Sequence, residues 1–533
     1  MAEEIKEFPK VAYSEDNLYT CSENGLNSIK KAIEEHNLNR VVVASCTPRT
    51  HEPLFRETVQ EAGLNKYLFN FVNIRDQCTW VHAKYPNEAY NKILDLIKMG
   101  VSKAEKLEPL EDISIDIESK ALVIGGGVSG ISSALSLSKQ GFETFLIEKE
   151  ERIGGMLNSL NTIYPDNIKA SKFLEGLKNQ IEDANNLTIL TSSTVSEING
   201  YLGNFNVIIE QNSKIQELQV GAIIVATGAS TFQPVNIYGY DGKVRVTQLE
   251  LEKILKEESF DKNNIVMIQC VGARCEERNY CSSICCMTAL KNSLIIKEKN
   301  PEANISILFR DIYTPGTRNE QYYRKTRELG ILFIKYSPEK EPIVKKEEVH
   351  VFNEYLGRDM SIPYDLLVLS TPLIANENNK NLAQLLKIPL EENNFFLEAH
   401  VKLRPIDFAT DGVFLCGSAK WPTDIGQALT QGRAAASRAS TILSHDTLEI
   451  QGSTAYIPEW NKELCKGCEI CIEICPYGAI RKNEEDEIEI IQALCKGCGL
   501  CGASCTKKAI QIKHFTNEQI LSEIYALGGR EIA

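Results

Sequence analysis

The sequence predicts an α/β protein with a parallel sheet, preceded by a small α/β unit and followed by a compact cysteine-rich α+β domain. Three observations predict this. Apolar strands and helical patterns alternate from Ala121 to about residue 445. A glycine-rich turn, Gly125 to Gly130, directly follows the first of those strands. Eight of the 17 cysteines fall between Cys465 and Cys505, in two similarly spaced runs.

At 533 residues the chain exceeds one ordinary core, so three or four domains are expected. The expected boundaries are an N-terminal α/β domain at 1–110, then a dinucleotide-binding domain in two parts at 111–260 and 376–445. A second nucleotide-type domain lies between them at 261–375, and a cysteine-rich domain follows at 446–533. A hydrophobic fraction of 43% suits packed cores. Lys+Arg number 58 against 72 Asp+Glu, a net charge of −14, which argues against binding nucleic acid through clustered cations. No run reaches the roughly 18 apolar residues of a membrane span. Met1-Ala-Glu-Glu-Ile-Lys-Glu lacks the basic and apolar regions of a secretory signal, so a cytoplasmic protein is expected. Thiols stay reduced there, which points the cysteines to metal or redox chemistry and away from disulfides.

In the first unit, Arg40-Val-Val-Val-Ala-Ser-Cys46 reads as a strand beside a helix from Gly25 to His36. A charged connector, Glu105 to Lys120, leads to Ala121-Leu-Val-Ile-Gly125-Gly-Gly127-Val-Ser-Gly130 and a helix over Ile131 to Gln140. Gly125, Gly127 and Gly130 allow a tight turn and let a pyrophosphate approach amides at a helix N-terminus. The next strand ends in Glu148, near the ~20-residue spacing at which an acid meets a ribose hydroxyl.

Arg152-Ile-Gly154-Gly155-Met156 resembles the diglycine segment of flavoproteins with two dinucleotide domains, and Ile223-Ile-Val-Ala-Thr227-Gly228 resembles their return strand. Together these imply FAD as the cofactor. Asp411-Gly-Val-Phe-Leu-Cys416-Gly417-Ser418 precedes a helix from about Asp424 to Ala439. In the thioredoxin-reductase-like superfamily that helix points its N-terminus at the flavin, where its dipole favours an anionic reduced ring. Ser418 stands where the superfamily usually has Asp, and Lys420 and Asp424 are candidates to reach the isoalloxazine.

The same superfamily carries a second glycine motif for NAD(P)H. Here Asn264-Ile-Val-Met-Ile268 is followed by Gln269-Cys270-Val-Gly272-Ala-Arg-Cys275, with cysteines in place of the outer glycines, so nucleotide binding there is not expected. Tyr280-Cys281-Ser-Ser-Ile-Cys285-Cys286 reads as a helix opening with Cys281 and Cys285 on one face. Cys270, Cys281, Cys285 and Cys286 form a candidate cluster site. Buried structural cysteines and a catalytic dithiol are the alternatives, although redox dithiols favour C-x-x-C.

Cys465-Lys-Gly-Cys468-Glu-Ile-Cys471-Ile-Glu-Ile-Cys475-Pro476 is the bacterial two-cluster ferredoxin signature, repeated as Cys495-Lys-Gly-Cys498-Gly-Leu-Cys501-Gly-Ala-Ser-Cys505. The fourth cysteine of each run ligates the other cluster. The expected [4Fe–4S] sets are Cys465, Cys468, Cys471 and Cys505, and Cys495, Cys498, Cys501 and Cys475. Structural zinc favours two separated pairs over such triplets.

These strings resemble the A subunit of heterodisulfide reductase. So do Leu18-Tyr-Thr-Cys21-Ser, Arg40 to Pro53, Asn73-Ile-Arg-Asp-Gln-Cys78-Thr-Trp-Val-His82 and Arg310-Asp-Ile-Tyr-Thr-Pro-Gly316. The resemblance implies an FAD among [4Fe–4S] clusters in a hetero-oligomer of an anaerobe. Its implied partners are subunits like B and C, ferredoxin, and a small iron–sulfur or hydrogenase-linked donor. In the best-understood members the flavin bifurcates electron pairs. Methanogen members carry a C-x-C-G segment ahead of Leu18 and a ferredoxin insert before the Ala226-Thr-Gly return. Here Gly200 to Gly221 contains no cysteine, and Cys21, Cys46 and Cys78 lack that segment's ligands. An N-terminal cluster would therefore be incomplete, absent or completed by another subunit. The alternative function is a self-sufficient NAD(P)H-dependent oxidoreductase resembling the glutamate synthase small subunit.

Overall fold

The computed structural model describes residues 1–212, 214–450 and 457–528. The chain divides into two compact units, Met1–Ile115 with Glu449–Ala533, and Asp116–Leu448.

In the first unit, helix α1 (Glu23–His36), strand β1 (Val41–Ser45), α2 (Pro48–Glu61), β2 (Phe69–Asn73) and α3 (Pro86–Glu105) follow in order. The two strands pair in parallel, with Val43 opposite Phe71. Successive residues of β1 face opposite sides. Val43 packs with Ile33, Phe55 and Val59, and Val42 and Ala44 pack with Val72, Ile93 and Ile97.

The second unit holds two five-stranded parallel sheets. The first is built from β3 (Lys120–Ile124), β4 (Glu143–Ile147), β5 (Leu187–Leu190), β9 (Ala222–Val225) and β15 (Val413–Leu415), in the order β15-β9-β3-β4-β5. Helix α4 (Val128–Lys139) follows β3, and α8 (Ile425–Leu443) follows β15. Ala121 and Val123 face these helices. Leu122 and Ile124 face the antiparallel meander β6 (Ser193–Tyr201), β7 (Asn204–Gln211) and β8 (Lys214–Val220) through Phe205, Val207 and Ile209.

The second sheet is ordered β10-β14-β11-β12-β13, from β10 (Arg245–Thr247), β11 (Asn264–Ile268), β12 (Asn304–Phe309), β13 (Leu332–Lys335) and β14 (Leu366–Leu369). Helices α5 (Gln248–Ile254), α6 (Cys285–Lys299) and α7 (Thr317–Glu328) accompany it. The chain passes between the sheets along Ala229–Thr231 and Leu373–Ala375, which pair antiparallel. Because β10 pairs with β14, the second sheet begins by residue 245 and not at the expected 261. Three residues are too short for an apolar run to announce them.

The cysteine-rich part consists of two short antiparallel pairs. They are β16 (Pro458–Trp460) with β19 (Ile510–Ile512), and β17 (Ile480–Lys482) with β18 (Ile488–Ile490). One-turn helices Ile470–Glu473 and Leu500–Ser504 carry the third cysteine of each run. The final helix, α9 (Asn517–Gly528), lies along α3 in the same unit. Ser102 donates to the Ser522 carbonyl at 2.9 Å, Gln519 donates to Lys106 O at 2.9 Å, and Lys103 pairs with Glu523 at 3.2 Å.

Candidate functional site: a dinucleotide cradle and three cysteine groups

The glycine turn after β3 is shaped by close approach. Gly125 adopts φ 113°, and a Cβ there would stand 2.4 Å from Ala226 O. A Cβ on Gly130 would lie 1.8 Å from Gly125 O. Gly127 and Gly228 are different, since a Cβ on either meets no protein atom within 4 Å. Their Cα faces border open space, as a backbone meant to approach a ligand should. The buried Glu148 carboxylate accepts from Gly126 N at 2.7 Å and Glu150 N at 2.9 Å, fixing it beside the turn. Gly154 N donates to Gly126 O at 2.7 Å, which folds the diglycine segment over the same turn, and Gly155 follows at φ 50°. Met156 is half-buried beside it, and Arg152 is exposed.

Thr227 Oγ1 is buried without a partner in the protein, so a polar ligand group has a place there. Gly417 N donates to Gln431 Oε1 at 2.9 Å, and a Cβ on Gly417 would strike Ser129 Oγ at 2.0 Å. A Cβ on Gly432 would likewise lie 2.4 Å from Ser129 O, so α8 runs tightly against α4. Open glycine faces, an orphaned hydroxyl and a fixed carboxylate fit a dinucleotide. Gly126 and Ser129 were missed from sequence because they act through a backbone amide and close packing, and Gln431 because its carboxamide meets Gly417 N only in the folded chain.

Asp424 is the N-cap of α8 and accepts from Gln427 N at 2.8 Å. Lys420 is held by Pro405 O at 2.8 Å and by Glu398 at 3.2 Å. Ser418 Oγ donates to Thr423 O at 3.5 Å. Cys416 is fully buried beside Ser133, and burial pushes its thiol up to about 12. Burial, with Asp424, Cys285 and Cys286 nearby, also holds the Tyr164 phenol well above its ordinary value.

The carboxyl edge of the second sheet is filled where a nucleotide would enter. Cys270 takes φ 62° in place of a glycine. A Cβ on Gly272 would meet the Phe232 ring at 2.4 Å, and the Arg278 guanidinium lies 4.3 Å from that ring's centre while its Nε bonds Gly272 O. Around this edge four cysteines gather. Burial first, then the nearness of Cys286, Cys270 and Cys281, raises Cys285. Burial raises Cys286 to about 12, reinforced by Cys270 and Cys281. The Cys285 thiol donates to Thr371 O at 3.4 Å and that of Cys286 to Asp311 O at 3.8 Å. The expected helix face is corrected. Helix α6 starts at Cys285, and Cys281 precedes it because Ser283 adopts φ 59° and Ser282 Oγ is bound by Leu373 N. Cys275 is half-buried, and its amide donates to Arg278 O at 3.1 Å.

In the first unit, Cys475 lines one cavity with Cys495, Cys498 and Cys501. Cys465, Cys471 and Cys505 lie in the neighbouring core, which Cys475 and Cys501 also join, and Cys468 is exposed. The two runs repeat their hydrogen bonds. Gly467 N and Gly497 N donate to Cys465 and Cys495 sulfurs at 3.5 Å, and Ala479 N and Ala509 N donate to Cys475 and Cys505 at 3.3 and 3.2 Å. These amides, placed to stabilise thiolate, suit metal-bound sulfur. Gly467 N–H, aided by the Trp460 indole, holds the Cys465 thiol below its usual value.

Cys46 and Cys78 are buried just past β1 and β2, and Cys78 donates to Ala89 O at 3.4 Å. Exposed Cys21 stands just before α1. Among the described residues, no three His, Cys, Asp or Glu side chains converge as on a single ion. No described helix is long and apolar enough to cross a membrane.

A family profile described as pyridine nucleotide-disulphide oxidoreductase matches residues 119–269, and one described as 4Fe-4S binding domain matches 457–480. The chain is 36% identical to a CoB–CoM heterodisulfide reductase iron-sulfur A subunit (the second of two) of Methanopyrus kandleri, over 91% of this chain and 88% of that protein. It is 35% identical to the A subunit of H(2):CoB-CoM heterodisulfide,ferredoxin reductase of Methanothermobacter thermautotrophicus, over 97% and 93%. Among solved structures, T. acidophilum thioredoxin reductase covers 61% of this chain and 99% of its own, at 17% identity and a TM-score of 0.43. Bacillithiol disulfide reductase from Bacillus cereus covers 61% and 98%, at 15% identity and a TM-score of 0.43.

Fold, glycine cradle and profile matches together define an oxidoreductase with a dinucleotide-binding domain of the pyridine nucleotide-disulphide oxidoreductase kind and a 4Fe-4S domain. The chain belongs to the family of heterodisulfide reductase A subunits, as an FAD and iron–sulfur electron-transfer protein.

Proposed function

We propose that the chain moves electrons between FAD, held at Gly125, Gly127, Gly130, Glu148, Gly154, Gly155, Thr227, Gly228 and Gly417, and [4Fe–4S] clusters. One cluster would sit at Cys270, Cys281, Cys285 and Cys286, and two in the ferredoxin repeat. The observation that carries this reading is the exchange at the second sheet. Where a nicotinamide nucleotide would enter, Phe232 and Arg278 close the pocket and four cysteines gather beside it. That also disfavours direct reduction by NAD(P)H.

A flavin takes up an electron pair and releases electrons singly, and a [4Fe–4S] cluster carries one at a time. The chain's part is to hold both. Glu148 and the glycine turn would anchor the ribose and pyrophosphate, and α8 would aim its N-terminal dipole at the ring. The electron partners proposed are ferredoxin and subunits like B and C of heterodisulfide reductase, fed by a hydrogenase-linked or similar iron–sulfur donor. Division of electron pairs between two acceptors belongs to the same proposal, as does a cytoplasmic setting.

Cys21, Cys46 and Cys78 would join a further cluster only with a ligand from elsewhere. Anaerobic purification with flavin, iron and sulfide analysis tests the reading. One FAD and roughly twelve irons per chain are expected. About sixteen would add an N-terminal cluster, about eight would remove the central one, and a colourless protein would overturn the reading.

A further inference from the structure

Cys270 stands between two cations whose roles the electron-transfer reading leaves open. Arg274, in the same turn, pairs with Asp311 at 2.9 Å, and the Asp311 carbonyl accepts from the Cys286 thiol at 3.8 Å. Arg310, just past β12, donates from Nη1 to Arg274 O at 3.0 Å and from Nη2 to Glu341 at 2.8 Å. Its Nε is buried and has no partner. Gln269, immediately before Cys270, is fully buried with neither end of its carboxamide bonded. Leaving a buried polar group unmet is costly, so unmet donors at one sheet edge call for an acceptor that the protein does not provide. Cluster sulfur is such an acceptor.

The carboxylates do not cancel the cations at this point. The Arg310 side chain is 11% exposed, whereas Glu341 is 52% exposed and Asp311 is 66% exposed. Water screens the outer carboxylates more than the inner guanidinium.

We propose that Arg274 and Arg310, with the Gln269 carboxamide, set the midpoint potential of the cluster at Cys270, Cys281, Cys285 and Cys286, holding it higher than the four cysteines alone would. This rests on the cluster assignment above. Reduction there adds one electron, delivered from the flavin, and no proton. The site becomes one charge more negative, and adjacent cations and N–H donors stabilise that form.

The test is a redox titration followed by EPR on the anaerobic full-length protein, after iron analysis of each variant. In Arg310→Gln, the ratio of reduced to oxidised central cluster at fixed potential should fall about tenfold, equivalent to 59 mV for one electron. Arg310→Lys, which keeps the charge but loses the Nε donor, should recover part of the shift. Glu341→Gln, an exposed change outside the ligand set, should move the midpoint upward. It decides the matter alone if Arg310→Gln loses its cluster. Unchanged midpoints in the cluster-bearing variants would overturn the proposal. A wild-type protein lacking the central cluster would overturn the cluster assignment, and this proposal with it.

Discussion

Lys291 and Glu252 form an ion pair sealed from solvent, their side chains 3% and 0% exposed. Lys291 also donates to Thr162 O at 2.9 Å, and Glu252 accepts from Asn161 N at 2.9 Å. Lys291 sits on α6 less than two turns beyond Cys285 and Cys286, so the pair fastens the cysteine-bearing helix to the segment that follows the diglycine turn.

Lys291→Met should destabilise the second unit by about 3–5 kcal/mol, because Glu252 is left charged and buried without its partner. The double variant Lys291→Met/Glu252→Leu should lose much less. Denaturant unfolding of the two proteins compares them, and equal losses would show that packing, not charge, is responsible.

Two glycines of the cradle should respond differently to alanine. At Gly130 the new Cβ collides with Gly125 O, so Gly130→Ala should unfold more readily whether or not flavin is present. At Gly127 no protein atom stands in the way, so Gly127→Ala should fold normally yet bind FAD about tenfold or more weakly. Melting temperature read beside flavin absorbance separates the two.

Cys475 belongs sequentially to the first run but lines the cavity of the second. Cys475→Ser should therefore disturb the cluster of Cys495, Cys498 and Cys501 and lower the iron content by about four per chain. Retention of that cluster's EPR signal, with loss of the one at Cys465, would reverse the pairing.

Burial lowers His514 from its ordinary 6.5 to about 4, with its Nε2 2.8 Å from Glu108 O. The folded chain keeps this imidazole neutral while the unfolded chain protonates it. Stability from this group is thus full above pH 6.5 and falls as the pH drops toward 4. His514→Gln should flatten the acid side of the unfolding curve, seen by following the first unit between those pH values.

Strand, glycine turn and helix from Lys120 to Lys139 were legible because apolar periodicity and the special needs of glycine are local signals. Asp424 was expected within the last FAD helix and caps it. The start of α6 was not legible, since nothing in Cys281-Ser-Ser-Ile reveals that Ser283 turns left-handed to serve Ser282 and Leu373. The meander from Ser193 to Val220 likewise became a cover for Leu122 and Ile124 only through long-range packing. Arg274 and Arg310 lie 36 residues apart, and only sheet pairing brings them to one edge. Helix α9 misleads in the opposite sense. Gln519 and Ser522 are its buried contacts, while Ile520, Ile524 and Leu527 remain exposed.

The hydrogen bonds between Ser102 and Ser522 join positions 420 residues apart. At the ribosome, about 5–20 residues emerge each second, so α3 waits roughly 20–80 s for its mate. During that interval residues 116–448 are already outside and free to fold, whereas the first unit remains half-built with the flank of α3 uncovered. The cysteine runs emerge only after residues 116–448. Iron delivery to the 4Fe-4S domain must therefore follow the synthesis of the dinucleotide cradle, and a chain stalled or clipped before residue 457 would carry the cradle without it.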